Sequence, residues 1–128
     1  MSTDVRPILS KKNQYWISKH RFYELKHFCM QFMDWQRERA ALDGLAYREE
    51  RSPTEPEAIL RAGYSKRIQM IMRAAEQTDG VIGDYILVAV TKGLSYEALN
   101  ARSPIPCCKS TYYELYRKFF WLLDKLRE

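Results

Sequence analysis

Histidine, cysteine and glycine are scarce in this chain: of its 128 residues, two are histidine, three cysteine and five glycine. Each shortage excludes a chemistry. The glycines are scattered, and the nearest approach to a phosphate-cradling loop, "GVIGD", has too few of them to wrap a phosphate. Cys107 and Cys108 are neighbours rather than the Cys-x-x-Cys that lets two thiolates close on one metal or exchange a disulfide. With Cys29, His20 and His27 they match no zinc-finger spacing, so no metal is expected. Small, partly buried, inert thiols are the expected role of the pair. His20 and His27 stand two helical turns apart, too far to chelate one ion, and with Lys19, Arg21 and Lys26 they extend a basic strip. Serine elbows and paired carboxylates are missing as well. The chain reads as a non-enzyme that needs no cofactor. No apolar run approaches the ~20 residues of a membrane span, and "MSTDVRPILSKK" lacks the apolar core of a signal peptide. Three cysteines without export features suit a reducing compartment, so a cytoplasmic location without a membrane partner is expected.

What the sequence does have is positive charge and apolar side chains. Net charge is +5, and 46% of residues are hydrophobic against 29% charged, the balance of a globular chain with a core. The excess is uneven. Residues 1–43 carry eight Lys/Arg against five Asp/Glu, residues 44–81 six against six, and residues 82–128 seven against five. Both ends are therefore candidate polyanion surfaces around a neutral middle.

The apolar pattern has helical periodicity and predicts an all-α fold. An N-terminal helical region, 1–79, would hold helices over about 16–43 and 56–77. In the first, Phe22, Leu25, Phe28 or Cys29, Phe32 and Trp35 or Gln36 recur at steps of three and four. Gly44 is the expected terminator, and Pro53 and Pro56 forbid easy continuation. Thr54 and Glu57 then fit a capping box, with Ile59, Ile68, Ile71, Met72 and Ala75 as the inner face of the second helix. In residues 80–128 a helix from Ile82 to Lys92 would turn Ile86, Ala89 and Val90 inward and stop at Gly93. Ser95 would cap a short helix with Leu99 inward, "SPIP" would turn, and a last helix would run from Cys108 or Ser110 to about Arg127. Its aromatics lie nearly all round it, so most must pack against the N-terminal helix or a second copy of the chain.

That order is what a helix-turn-helix requires: a supporting helix, a short capped one, and a final helix whose N-terminal residues reach base edges. "ILVAVTKGLSYEAL" resembles the start of DNA-binding region four of bacterial sigma factors, and "KSTYYELYRKF" resembles the recognition helix of phage late-gene transcription regulators of the ArpU and RinA type. The resemblance covers roughly residues 82–127. Two departures stand out. Ala98 occupies the place where the family's capping helix usually has an acid, here found at Glu97, and "SPIPCC" lengthens the turn by about two residues.

The resemblance implies a phage or prophage transcription regulator that binds double-stranded DNA. Lys109, Ser110, Thr111 and Tyr112 would face base edges and Glu114 a cytosine amino group. Arg117 and Lys118 would hold phosphates, and Ser95 and Tyr96 would meet one at the start of the preceding helix. A homodimer would suit such a reader. Two other functions fit the same pattern: a small terminase subunit recognising packaging DNA, and a helical interaction module that contacts RNA polymerase without touching DNA.

Overall fold

The structure is a computed structural model that describes residues 11–127, and those residues fold as six α-helices: α1 Lys19–Cys29, α2 Phe32–Arg48, α3 Glu55–Thr78, α4 Ile82–Lys92, α5 Tyr96–Arg102 and α6 Lys109–Leu126. The all-α expectation is met. No helix among them is long and apolar enough to cross a membrane.

The local signals explain most of the boundaries. Ser18 caps α1 by accepting the Arg21 N–H at 3.3 Å. Thr54 and Glu57 form the reciprocal capping box at the head of α3. Gly93, with φ of 67°, closes α4 and lets the Leu94 N–H reach the Ala89 carbonyl at 2.9 Å. Asp79 joins α3 to α4: its Oδ2 accepts the N–H groups of Val81 and Ile82 at 2.9 and 2.8 Å, which holds its carboxyl below the usual range.

Two expectations fail near the N-terminus. The helix foreseen over 16–43 is two helices, interrupted at Met30 and Gln31. Its apolar stripe is nevertheless real, because Phe22, Leu25, Phe28, Cys29, Phe32 and Trp35 are all buried. The interruption divides that stripe between partners, for α1 packs on α6 and α4 while α2 packs on α3. Nor does Gly44 end the second piece. α2 continues to Arg48 and closes where Glu50 takes the left-handed conformation with φ of 51°; the Arg51 N–H bonds to Ala46 O and the Glu50 N–H to Tyr47 O, both at 3.1 Å. A glutamate therefore occupies the place where glycine is usual.

α3 is the spine. Its second half buries Ile68, Ile71, Ala74, Ala75 and Thr78 against α4 and α6. Its first half leaves that core and runs beside α2 as a two-helix arm. Hence Ile59 is 66% exposed, while Met72, in the core half, lies on the side of the helix away from α4 and α6 and is 42% exposed; both were expected to face inward. The arm is tied by polar contacts: Arg39 to Ser65 at 3.2 Å, Arg61 to both carboxylate oxygens of Asp43 at 2.6 and 3.1 Å, and Arg51 to Glu57 at 2.7 and 3.1 Å. The Arg51 guanidinium and the Thr54 N–H hold the Glu57 carboxyl down at about 2.

The core itself draws on residues from both sides of the α3–α4 turn. Phe22 of α1 meets Phe120 of α6 edge-on at 5.0 Å, Phe119 meets Phe120 at 5.0 Å, and Phe28 lies 4.8 Å from Trp35. Arg21 fastens α1 to the end of α6 through Asp124 at 2.5 Å.

Candidate nucleic-acid interface

α5 is placed by its cap and by one leucine. The Ser95 Oγ accepts the Ala98 N–H at 3.1 Å, and Leu99 is buried. With no acid at position 98 the reciprocal half of a capping box is missing, and the serine alone caps the helix. The long connection after α5 is also anchored. Ile105 is buried, its N–H donates to Asn100 Oδ1 at 2.9 Å, and the Tyr96 hydroxyl donates to the Cys107 carbonyl at 3.4 Å. The two extra residues thus form a bound turn that delivers the chain to Cys108, the N-cap of α6.

On α6 the sequence-predicted site residues separate by face. Ser110, Thr111 and Glu114 are exposed, on the side opposite buried Phe119, Phe120 and Leu123. Lys118 lies one turn beyond Glu114, half-buried, and its charge reaches Asp79. Arg117 is half-buried, with an Nε that has no hydrogen-bond partner among the described residues. Lys109 is exposed but not free: its ammonium pairs with Glu97 across the turn and lies 6.0 Å from the ring centres of both Tyr96 and Tyr113. The pairing raises the lysine and lowers the carboxylate from their ordinary values.

Tyr112 does not belong with them. Only 1% of it is exposed, and its ring packs on Tyr96 at 5.1 Å and Tyr113 at 5.2 Å. A side chain inside the core reads no base, so its proposed place at a base edge is corrected to a structural one. Its hydroxyl is buried with no hydrogen-bond partner among the described residues, beside a cavity of about 50 Å³ that Lys26, Met30, Tyr113 and Tyr116 help to line. The Tyr96 side chain is committed to the turn and the tyrosine cluster, and the Ser95 hydroxyl to its cap, which leaves backbone N–H groups as the means by which the start of α5 would meet a phosphate.

Two residues of the site escaped sequence reasoning. Glu97 was visible only as a displaced acid, whereas folding makes it the partner of Lys109. Cys108 was expected to be inert. It is exposed, and its Sγ lies 3.3 Å from Ser110 Oγ and 3.1 Å from Thr111 Oγ1. Hydrogen bonds from the Ser110 and Thr111 side chains and N–H groups bring the thiol down to about 7. Cys107 is pushed up by burial, as is fully buried Cys29. The thiolate is the nucleophile. Alkylation by iodoacetamide, followed residue by residue by mass spectrometry, is therefore expected to occur first at Cys108, with a rate that rises through a midpoint near pH 7. Cys107 should follow at higher pH, and Cys29 should react only after unfolding. Equal rates at Cys107 and Cys108 would contradict this assignment.

Among the described residues no group of three His, Cys, Asp or Glu side chains is placed to hold a metal ion. Compared with protein-family models, with curated proteins and with solved structures, the chain matches none of them.

Proposed function

We propose that this chain is a DNA-binding transcription regulator of the phage or prophage kind, acting through the helix-turn-helix of α4, α5 and α6. The observation that carries the reading is the outer side of α6. Ser110, Thr111 and Glu114 stand exposed at its N-terminal end with Lys118 one turn on, on a helix of 18 residues presented by a capped short helix. These side chains have the donors and acceptors that base edges and phosphates take. Arg117 and Lys118 supply phosphate contacts. Lys109 exchanges Glu97 for DNA on binding, at a guanine edge or the phosphate beside it. The proposal includes no enzymatic activity.

The test is binding to promoter-bearing DNA of the host element across a salt series, with the wild type beside a Lys109→Ala, Arg117→Ala, Lys118→Ala triple variant. Each lost phosphate contact removes roughly one unit from the slope of log affinity against log salt. The variant should therefore bind more weakly with a slope about 2 to 3 units shallower. Absence of wild-type binding at low salt would overturn the proposal and leave a protein partner, RNA polymerase among them, as the reading.

A further inference from the structure

The arm presents one face that the chain itself leaves uncovered. Glu55, Ile59, Ala62 and Lys66 follow one another along α3 at steps of four, three and four, which places them in one narrow stripe down the helix. All four are exposed, Ile59 by 66%. The polar ties of the arm lie elsewhere on α3, where Glu57 binds Arg51 of the α2–α3 connection and Arg61 binds Asp43 of α2. Glu55 and Lys66, by contrast, enter no ion pair among the described residues.

The stripe is complementary to itself. Laid antiparallel on a copy, with the two-fold axis passing between residues 60 and 61, it sets Glu55 opposite the other copy's Lys66 and Ile59 opposite the other copy's Ala62. Acid meets base and a large side chain meets a small one, twice over by symmetry. The stretch 44–81 holds six basic and six acidic residues, so a strongly acidic or basic macromolecule has no net charge there to seek.

A second observation points the same way. Gly63 lies in the helix interior on the flank of this stripe, where glycine costs about 1 kcal/mol relative to alanine. Nothing in the fold requires it: a Cβ at that position would meet only the guanidinium of Arg67, at an ordinary 3.6 Å. With Ala58 on the other flank, it keeps the helix surface low enough for a second backbone to approach closely.

We propose that two copies of this chain dimerise through the first half of α3, packed antiparallel on this face. The proposal stands apart from the DNA reading and is tested without DNA. Sedimentation equilibrium of the full chain should show a monomer–dimer equilibrium. Glu55→Lys and Lys66→Glu should each weaken it about tenfold, by setting like charges opposite each other, and the two together should restore it. Ile59→Glu should also dissociate the dimer while leaving the helix content of the monomer unchanged by circular dichroism, since that side chain is mostly in water. A wild type that stays monomeric, a ring of higher order, or a double variant that associates no better than the single ones would each overturn the proposal.

Discussion

Gly83→Ala lowers the melting temperature by roughly 10 °C, although alanine is the better helix former. That result is expected because a Cβ at Gly83 would lie 2.2 Å from the carbonyl oxygen of Ala75 and 3.0 Å from its carbonyl carbon. The obstacle is backbone rather than the movable end of a side chain. The first turn of α4 can accept the methyl group only by moving away from the last turns of α3, and that contact is part of the core through Ala75, Ile82 and Ile86. Overpacking costs about 1–3 kcal/mol and occasionally more; a backbone contact of 2.2 Å puts this site at the high end, about 3–4 kcal/mol, against the ~1 kcal/mol that alanine returns in helix propensity. For a domain of this size a net loss of about 2–3 kcal/mol corresponds to the stated shift. The internal comparison is Gly63→Ala. There the new methyl meets nothing closer than 3.6 Å, so in dilute monomer the same substitution should raise stability by up to about 1 kcal/mol. Thermal melts of the two variants should move in opposite directions. A Gly83→Ala protein that melts with the wild type would show that α3 and α4 do not approach as closely as the structure has them.

Tyr112→Ala should cost about 3–5 kcal/mol, the range for emptying a large aromatic site in a core. Tyr112→Phe should be neutral or slightly stabilising. The ring fills space between Tyr96, Tyr113 and Tyr116, and 99% of the residue is out of solvent. The hydroxyl, however, is buried without a partner among the described residues, so deleting it sacrifices no bond to them and removes a desolvated polar atom. Denaturant melts of both variants measure this. The pair also separates core from interface. If Tyr112 read a base, the phenylalanine variant would lose affinity and keep its stability; as a core residue it keeps both. A phenylalanine variant that is stable but impaired in DNA binding would return Tyr112 to the reading surface.

Much of the fold was written locally. Thr54 with Glu57, Ser95 and Gly93 each act through atoms within a few residues of themselves, and each does in the structure what its spacing suggested. The features that could not be read depend on distant partners. The stripe Phe22–Trp35 shows which side is apolar but not that its two halves serve different helices, so the break at Met30–Gln31 left no mark. Gly44 looked like a stop signal because local residues show neither that α2 is held to the other limb of the arm just before it, at Asp43 and Arg39, nor that Ala46 beyond it is buried. On α6 the aromatics surround the helix, and periodicity does not show that Tyr112 goes inward as well. The first turn is oriented by where Ile105 and Tyr96 anchor the incoming turn, and this sends Tyr112 inward while Ser110 and Thr111 stay out. The same anchoring brings Lys109 to Glu97, twelve residues away, and sets Cys108 beside two hydroxyls.

The division of α3 into a core half and an arm half gives one continuous helix two stabilities. From Ile68 onward, opening the backbone hydrogen bonds means exposing the side chains that hold α4 and α6. Before Tyr64 it means breaking mostly solvent-facing ion pairs and a capping box, with no fully buried α3 side chain among them. The arm can therefore open as a local unit, at less free energy than global unfolding, while the aromatic centre stays closed. Fraying that begins at Thr54 would stop near Ile68, where the first buried side chain acts as a latch between the part of the helix that breathes and the part that does not.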